Sequence, residues 1–94
     1  TEYFPKLDGR IVDQVNLISS PVKNDINTIL EKHEKETSNQ IVVVILDSLH
    51  DYQIEDYSYQ LGRYWEVGQK DKNNGILLVI AMKEKKIRIE VGYV

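Results

Sequence analysis

The stretch Ile41-Val42-Val43-Val44-Ile45-Leu46 decides the fold of this chain. All six residues are apolar and five are β-branched, a pattern typical of a strand that is buried on both faces of a sheet. A second run of the same character, Ile76-Leu77-Leu78-Val79-Ile80-Ala81, follows later in the chain. Strands of this kind need helices on both faces of their sheet, so the two runs predict an α/β fold.

Two amphipathic helices are predicted around the first of these strands. Ser19-Ser20-Pro21 is a helix start signal, because serine caps a first turn and proline fits the first helical position. Apolar residues then recur at helical spacing over residues 22–37, and again over 53–66 behind a cap at Asp51. The two stripes consist of Val22, Ile26, Ile29, Leu30 and His33, and of Ile54, Tyr57, Leu61, Tyr64 and Trp65, whereas Tyr59 points elsewhere.

The rest of the chain supplies the other strands of a single domain. Ile87, Ile89 and Val91 alternate with charged residues, which indicates a half-exposed strand. We predict a mixed sheet of about three to four strands, packed between helices. It combines a parallel strand–helix–strand unit with a right-handed crossover and a C-terminal antiparallel hairpin. Within one domain over residues 1–94, the predicted ranges are an N-terminal arm 1–18, strand 40–47, strand 75–82 and strand 86–92.

The composition excludes several classes of function. A chain of 94 residues has room for one hydrophobic core, and a net charge of −3 argues against nucleic-acid binding. Because the sequence has no cysteine, disulfides, thiolate catalysis and cysteine-ligated zinc are excluded. The longest apolar runs are far shorter than the roughly 20 residues that span a bilayer. No HExxH, GxSxG or glycine-rich phosphate loop is present, so the mechanisms that these motifs imply are unsupported.

Several stretches, taken together in their order and spacing, carry a family resemblance. They are Phe4-Pro5, Gly9-Arg10-Ile11-Val12-Asp13, Asn16-Leu17-Ile18-Ser19, Gln40-Ile41-Val42-Val43-Val44, Trp65-Glu66-Val67-Gly68-Gln69-Lys70, Asn73-Asn74-Gly75-Ile76-Leu77-Leu78 and Arg88-Ile89-Glu90-Val91-Gly92-Tyr93. In this combination the chain resembles the TPM domain family, found in bacterial envelope proteins and in the thylakoid lumen. Two features depart from the family pattern: Asn73 stands where the family usually has aspartate, and the family usually continues beyond Tyr93.

The resemblance implies an extracytoplasmic domain in the cell envelope, membrane-associated through segments outside this chain. Its implied role is a binding or assembly and maintenance module for an envelope or membrane protein partner. The alternative is a divalent-metal-dependent phosphatase acting on phosphoesters. We expect the chain to be truncated at its C-terminus or to be a divergent member. We also expect the full gene product to carry a signal sequence before Thr1 or a membrane-spanning stretch after Val94.

One candidate site follows the first buried strand. In open α/β sheets, ligands bind at the carboxyl ends of the strands, where this chain has Asp47, Ser48, His50 and Asp51. Carboxylate and imidazole groups so close together could hold a divalent cation that activates water for attack on a phosphoester. The alternative, which we favour, is that the two aspartates are turn and cap residues and that Ser48 only fills the loop.

A second candidate site comes from positions matched to the family: Asp13, Asn73, Asn74 and Glu90. These side chains could converge to give oxygen ligands for Ca²⁺ or Mg²⁺. With Asn73 in place of an aspartate, the site would bind the cation more weakly. The alternative is that Asn74 belongs to an ordinary turn and that Glu90 pairs with a surface lysine.

The hairpin strand presents an apolar face that the two predicted helices are too few to cover. Each of its three apolar side chains left exposed forgoes roughly 1.5–3 kcal/mol of burial. A bare strand edge also invites pairing with another chain. We therefore predict that the N-terminal arm covers this face through Phe4 and Leu7, or that the chain self-associates through its C-terminal strand edge.

Overall fold

The computed structural model describes residues 4–67 and 75–93 of the chain. Each of its two helices connects two strands that are consecutive in the sequence. In chain order, the elements are β1 (Ile11–Asp13), α1 (Ser20–Thr37), β2 (Gln40–Leu46), α2 (Ile54–Tyr64), β3 (Gly75–Ala81) and β4 (Lys86–Tyr93).

The strands form one mixed sheet in the order β1-β2-β3-β4. β2 pairs in parallel with β1 and with β3, so that Val43 lies beside Ile11 on one side and Leu78 on the other. β3 and β4 form an antiparallel hairpin in which Leu78 pairs with Ile89. This arrangement confirms the predicted α/β fold and its mixed sheet, and it makes the short strand of the arm the fourth member of that sheet.

The helix ends follow from local backbone geometry. α1 begins at Ser20, directly after an extended Ser19, with Pro21 in its first turn. It ends where Ser38 adopts a left-handed conformation and donates its backbone N–H to the Glu34 carbonyl at 2.8 Å, a common helix termination. α2 ends at Tyr64, two residues before the predicted end, because Glu66 has a left-handed φ of 54°.

One face of the sheet carries the hydrophobic core. α2 packs on this face through Ile54, Tyr57 and Leu61, and the arm adds Phe4 and Leu7 at its margin. The Phe4 and Tyr57 rings meet edge to face with centroids 5.0 Å apart. The other buried members of the core are Val12, Val42, Val44, Leu46, Leu49, Trp65, Val67, Leu77, Val79 and Ala81.

The aromatic residues of α2 follow the predicted stripe with one exception. Tyr57 and Trp65 are buried and Tyr59 is exposed, as the helical spacing predicts. Tyr64 is 56% exposed, so its predicted burial is wrong. The buried stripe of α2 is centred on Ile54 and Leu61, and Tyr64 lies at its margin, where the ring contacts only Phe4 among the aromatic residues that the structure describes.

The opposite face is covered by α1, which lies against β1 and β2. Ile11 and Ile45 point to this side and are buried, although no residue of α1 is itself fully buried. The two crossover connections are β1-α1-β2 and β2-α2-β3. They have opposite hands, because β1, β2 and β3 lie side by side in chain order and the two helices lie on opposite faces of the sheet. Only one of them can therefore follow the right-handed rule.

The part of this second face formed by β4 is bare among the residues that the structure describes. Ile87, Ile89 and Val91 are 68%, 62% and 66% exposed. The prediction that Phe4 and Leu7 cover them is wrong, because both side chains pack against the core on the α2 side. A hydrogen bond fixes the arm on the α2 side, since the indole Nε1–H of Trp65 donates to the Pro5 carbonyl at 3.0 Å.

The core on the α2 side should dominate stability. Leu61 is fully buried in it, whereas Leu17 is 59% exposed. The same substitution at Leu17 is therefore the control for the one at Leu61. We expect Leu61→Ala to lower the free energy of unfolding by about 2–5 kcal/mol, since truncation leaves a cavity. Leu17→Ala should change it by no more than about 0.5 kcal/mol. Urea unfolding followed by circular dichroism measures both, and equal losses would contradict this account of the core.

Candidate functional site

The polar residues that the structure brings together lie at the carboxyl ends of β2 and β3. There the loop after β2 meets the turn that joins β3 to β4. The backbone carbonyl of Asp47 accepts from the N–H of Lys83 at 3.0 Å, and the N–H of Asp47 donates to the side chain of Gln14 at 3.3 Å. This edge therefore joins three segments that are distant in sequence, in the position where open α/β sheets bind ligands.

Glu84 is the central side chain of this edge. Its Oε2 accepts from the backbone N–H of Leu49 at 3.0 Å and from the Ser48 hydroxyl at 3.4 Å. The Ser48 hydroxyl in turn accepts from the backbone N–H of His50 at 3.0 Å. The other carboxylate oxygen, Oε1, is buried and has no hydrogen-bond partner among the residues that the structure describes.

The surroundings of Glu84 favour the charged form of its carboxylate. The hydrogen bond from the Leu49 backbone lowers the pKa of Glu84. Smaller contributions in the same direction come from its own backbone N–H, from Ser48 and from the charge of Lys83, and together these outweigh the opposing effect of burial. Glu84 thus acts as a fixed acceptor that holds the loop after β2 against the turn after β3. The sequence analysis missed this residue, because it lies among lysines in the short stretch between the predicted strands 75–82 and 86–92, where no site is predicted.

The four loop residues proposed as a metal site, Asp47, Ser48, His50 and Asp51, do not form one cluster of ligands. Ser48 turns towards Glu84, while Asp47, His50 and Asp51 are exposed. His50 and Asp51 have consecutive left-handed φ values of 51° and 68°, which reverse the chain before α2. Across residues 4–67 and 75–93, no group of three histidine, cysteine or acidic residues is arranged to hold a metal ion.

Asp13 holds a turn together at the end of β1. Its carboxylate accepts from the backbone N–H of Ile18 at 2.8 Å and from that of Val15 at 3.2 Å. Burial acts to raise the pKa of Asp13, but hydrogen bonds from the backbone N–H groups of Ile18, Leu17 and Val15 and the charge of Lys23 outweigh it, so the pKa is lowered. Asp13 therefore fixes the link between β1 and α1.

The structure does not bring Asp13 and Glu90 together. β1 and β4 are the two edges of the sheet, so three strand spacings, or roughly 14 Å, separate them. Glu90 pairs with Leu77 and thus faces the α2 side, where its carboxylate forms an ion pair with Arg88 of the same strand. The other proposed ligands, Asn73 and Asn74, lie outside the described residues.

A groove of about 550 Å³ lies at the other end of α2. It runs between the N-terminal arm and the last turn of the helix, and it is open to solvent. The residues that line the groove are Phe4, Pro5, Lys6, Leu7, Tyr64 and Trp65.

Neither of the helices in residues 4–67 and 75–93 has the length and apolar character of a membrane-spanning segment.

These features define an α/β domain with a polar network at the carboxyl edge of its sheet. The family model of the TPM domain matches residues 11–94, and the chain belongs to this family. The fold is similar to the solution NMR structure of the N-terminal domain of a protein from P. gingivalis. That match has 32% sequence identity and a TM-score of 0.79, and it covers 88% of this chain and 53% of that one.

A second similar solution structure is the N-terminal domain of a protein from Corynebacterium glutamicum. The identity is 21% and the TM-score 0.75, over 94% of this chain and 57% of that one, so this likeness concerns the fold alone. The chain thus spans a little over half the length of both solved chains. No curated protein matches it.

The hydrogen bonds to Asp13 predict a pH-dependent stability. Because its pKa is lowered from the ordinary value of 3.8, Asp13 contributes stability that is present above that value and is lost as the pH falls through the folded-state pKa. We expect Asp13→Asn to reduce the free energy of unfolding at pH 7 by about 1–3 kcal/mol. The difference between wild type and variant should shrink at acid pH.

Urea unfolding at pH values from 7 down to 3 measures this effect. Asp47→Asn is the matched control, because Asp47 is exposed and its hydrogen bonds given above are made by backbone atoms. We expect that variant to follow wild type at every pH. A loss for Asp13→Asn that is constant with pH would show that its carboxylate charge has no part in the turn.

Proposed function

We propose that this TPM domain is a binding or assembly module for envelope proteins, on the extracytoplasmic side of a membrane and tethered by segments outside this chain. The observation that carries the proposal is the uncovered apolar surface of β4, formed by Ile87, Ile89 and Val91. Soluble domains rarely leave contiguous large apolar side chains exposed without a binding role. Family membership supports the setting in the envelope.

The shape of this surface favours a helical partner segment. α1 lies over β1 and β2, and on the same side the β3 side chains are half-buried and the apolar side chains of β4 are exposed. Two strands occupy roughly 10 Å across a sheet, which is about the diameter of one α-helix. We call the area over β3 and β4 beside α1 the slot. A helix bound there would lie next to α1 and would extend the helical layer on this face of the sheet.

One flank of α1 forms a wall of the slot. Arg10, at the β1 side, hydrogen-bonds Glu34 and pairs with Glu31, so these helix residues face β1. Val22 and Ile29 lie roughly half a turn away from Glu31 on the helix and are 49% and 65% exposed. They therefore project towards β3 and β4, and a partner helix would contact them together with the strand surface.

The charges at the slot also constrain the partner. Three exposed lysines lie at the end of the apolar surface: Lys83 and Lys85 in the turn between β3 and β4, and Lys86 at the start of β4. The partner segment should accordingly be amphipathic, with its apolar stripe on the sheet and acidic residues near this turn. Ile87 should be a principal contact, since it is the most exposed of the three apolar residues.

A photo-crosslinking amino acid at position 89 of the full-length protein tests the proposal in source cells. We expect crosslinks from this position to one helical segment of an envelope protein. The same group at Gln60, exposed on the α2 side, is the matched control and should give none of that product. Ile87→Ser should weaken the interaction by about tenfold or more, because it removes roughly 1.5–3 kcal/mol of apolar burial.

Two results would contradict the proposal. One is a set of products that is the same from positions 89 and 60, which would mean that the apolar surface has no specific partner. The other is turnover of an aryl phosphate by the purified protein that stops when a chelator is added. That outcome would favour the alternative of a metal-dependent phosphatase.

A further inference from the structure

The outer edge of β4 is a second candidate contact surface, distinct from its apolar face. We propose that two copies of the chain associate by antiparallel pairing of their β4 strands, in a symmetric register centred on Ile89. The pairing would join two four-stranded sheets into one continuous sheet. This proposal goes beyond the binding role above and uses backbone groups that the apolar face does not involve.

β4 is the last strand in the sheet order, so no described strand pairs with its outer edge. An exposed edge presents backbone N–H and C=O groups that are ready to pair with another strand. β4 is long enough for such pairing, since it covers Lys86–Tyr93 and its pairing with β3 is regular from Lys86 to Val91. The opposite edge strand, β1, has only three residues and is a much poorer template.

The charges of β4 distinguish between the symmetric registers. In a pair centred on Arg88, the two Arg88 side chains would lie directly opposite each other, and a pair centred on Glu90 would oppose two glutamates. Like charges in directly opposite positions are destabilising. In the pair centred on Ile89, each Arg88 instead lies opposite the Glu90 of the second copy. This register places opposite charges together twice and no like charges in direct opposition.

The same register matches the apolar side chains. Ile89 lies opposite Ile89 of the second copy, and Ile87 lies opposite Val91. Cross-strand pairs of β-branched residues stabilise antiparallel sheets. On the polar side, Arg88 is 40% exposed and already pairs with Glu90 of its own strand. In the dimer, Arg88 and Glu90 of both copies would alternate in one network of ion pairs. The Arg88–Glu90 pair within each strand would be retained.

Charge exchange between copies tests the register. Arg88→Glu and Glu90→Arg should each weaken self-association by about tenfold, because both cross-strand ion pairs become like-charge pairs. An equimolar mixture of the two variants should form a heterodimer, since every cross-strand pair is then of opposite charge. Sedimentation equilibrium over a range of concentrations measures all three samples. A purely in-chain role of the Arg88–Glu90 pair predicts no recovery in the mixture.

A cysteine crosslink provides an independent readout that does not depend on charge. The chain has no cysteine of its own, so one introduced thiol is unambiguous. Under mild oxidation Ile89→Cys should give a disulfide-linked dimer, because the central residues of the pair face each other at disulfide distance. Ile87→Cys is the control and should stay monomeric, since its two copies would lie roughly 14 Å apart.

The unmodified chain also decides the question. A concentration-dependent shift from monomer to dimer is expected. A chain that remains monomeric up to about millimolar concentration would overturn the proposal, as would equal crosslinking from positions 87 and 89 or a mixture of the charge variants that stays monomeric. These outcomes leave the binding role of the apolar face unaffected, because that role concerns a partner helix lying on the face and not a strand paired to the backbone edge.

Discussion

The pairing of β2 with a parallel strand on each side is the constraint on which the rest of the structure depends. Alternate residues of β2 point to opposite faces, so Val44 and Ile45 require covers on different sides of the sheet. α2 and the arm cover one side, and α1 covers part of the other. The described elements therefore leave the β3–β4 half of one face without a helix, and the apolar exposure of β4 follows directly from this arrangement.

Much of this fold is predictable because its strongest signals are local. The apolar runs that became β2 and β3, the start signal of α1 and the alternation in β4 each identify an element without reference to the others. The helix end at Tyr64 was less predictable, since it depends on the left-handed conformation of Glu66. The position of Phe4 was mispredicted for a different reason. Its destination is set by Tyr57 and by the bond between Trp65 and Pro5, which are contacts between distant parts of the chain.

The candidate site was harder to predict than the fold, because it depends on strand order. The pairing of Asp13 with Glu90 as metal ligands required β1 and β4 to lie close together, and they are the two edges of the sheet. Ser48 was a candidate from its position after a buried strand, although the favoured interpretation was that it only fills the loop. In the structure it hydrogen-bonds Glu84 and the His50 backbone at the carboxyl edge. Glu84 could have been found by the same reasoning, because β2 and β3 end together and Leu46 pairs with Ala81. The turn after β3 must then meet the loop after β2.

The functional proposals depend on different parts of β4. Among the described residues, the apolar face is exposed because no helix covers its half of the sheet, and the outer edge is open because β4 ends the strand order. Arg88 and Glu90 face the α2 side, so the charged residues that select a pairing register do not interrupt the apolar face. The same strand can therefore take part in two kinds of contact without competition between them.

Methyl NMR with a soluble paramagnetic probe tests the central claim most directly. In a dilute sample of the chain, the probe should strongly broaden the methyl signals of Ile87 and Ile89, which are exposed. The signals of Ile45 and Ile54 should be little affected, because these side chains are buried on the two covered faces. Similar protection of all four isoleucines would contradict the account, since it would mean that the β4 face is covered.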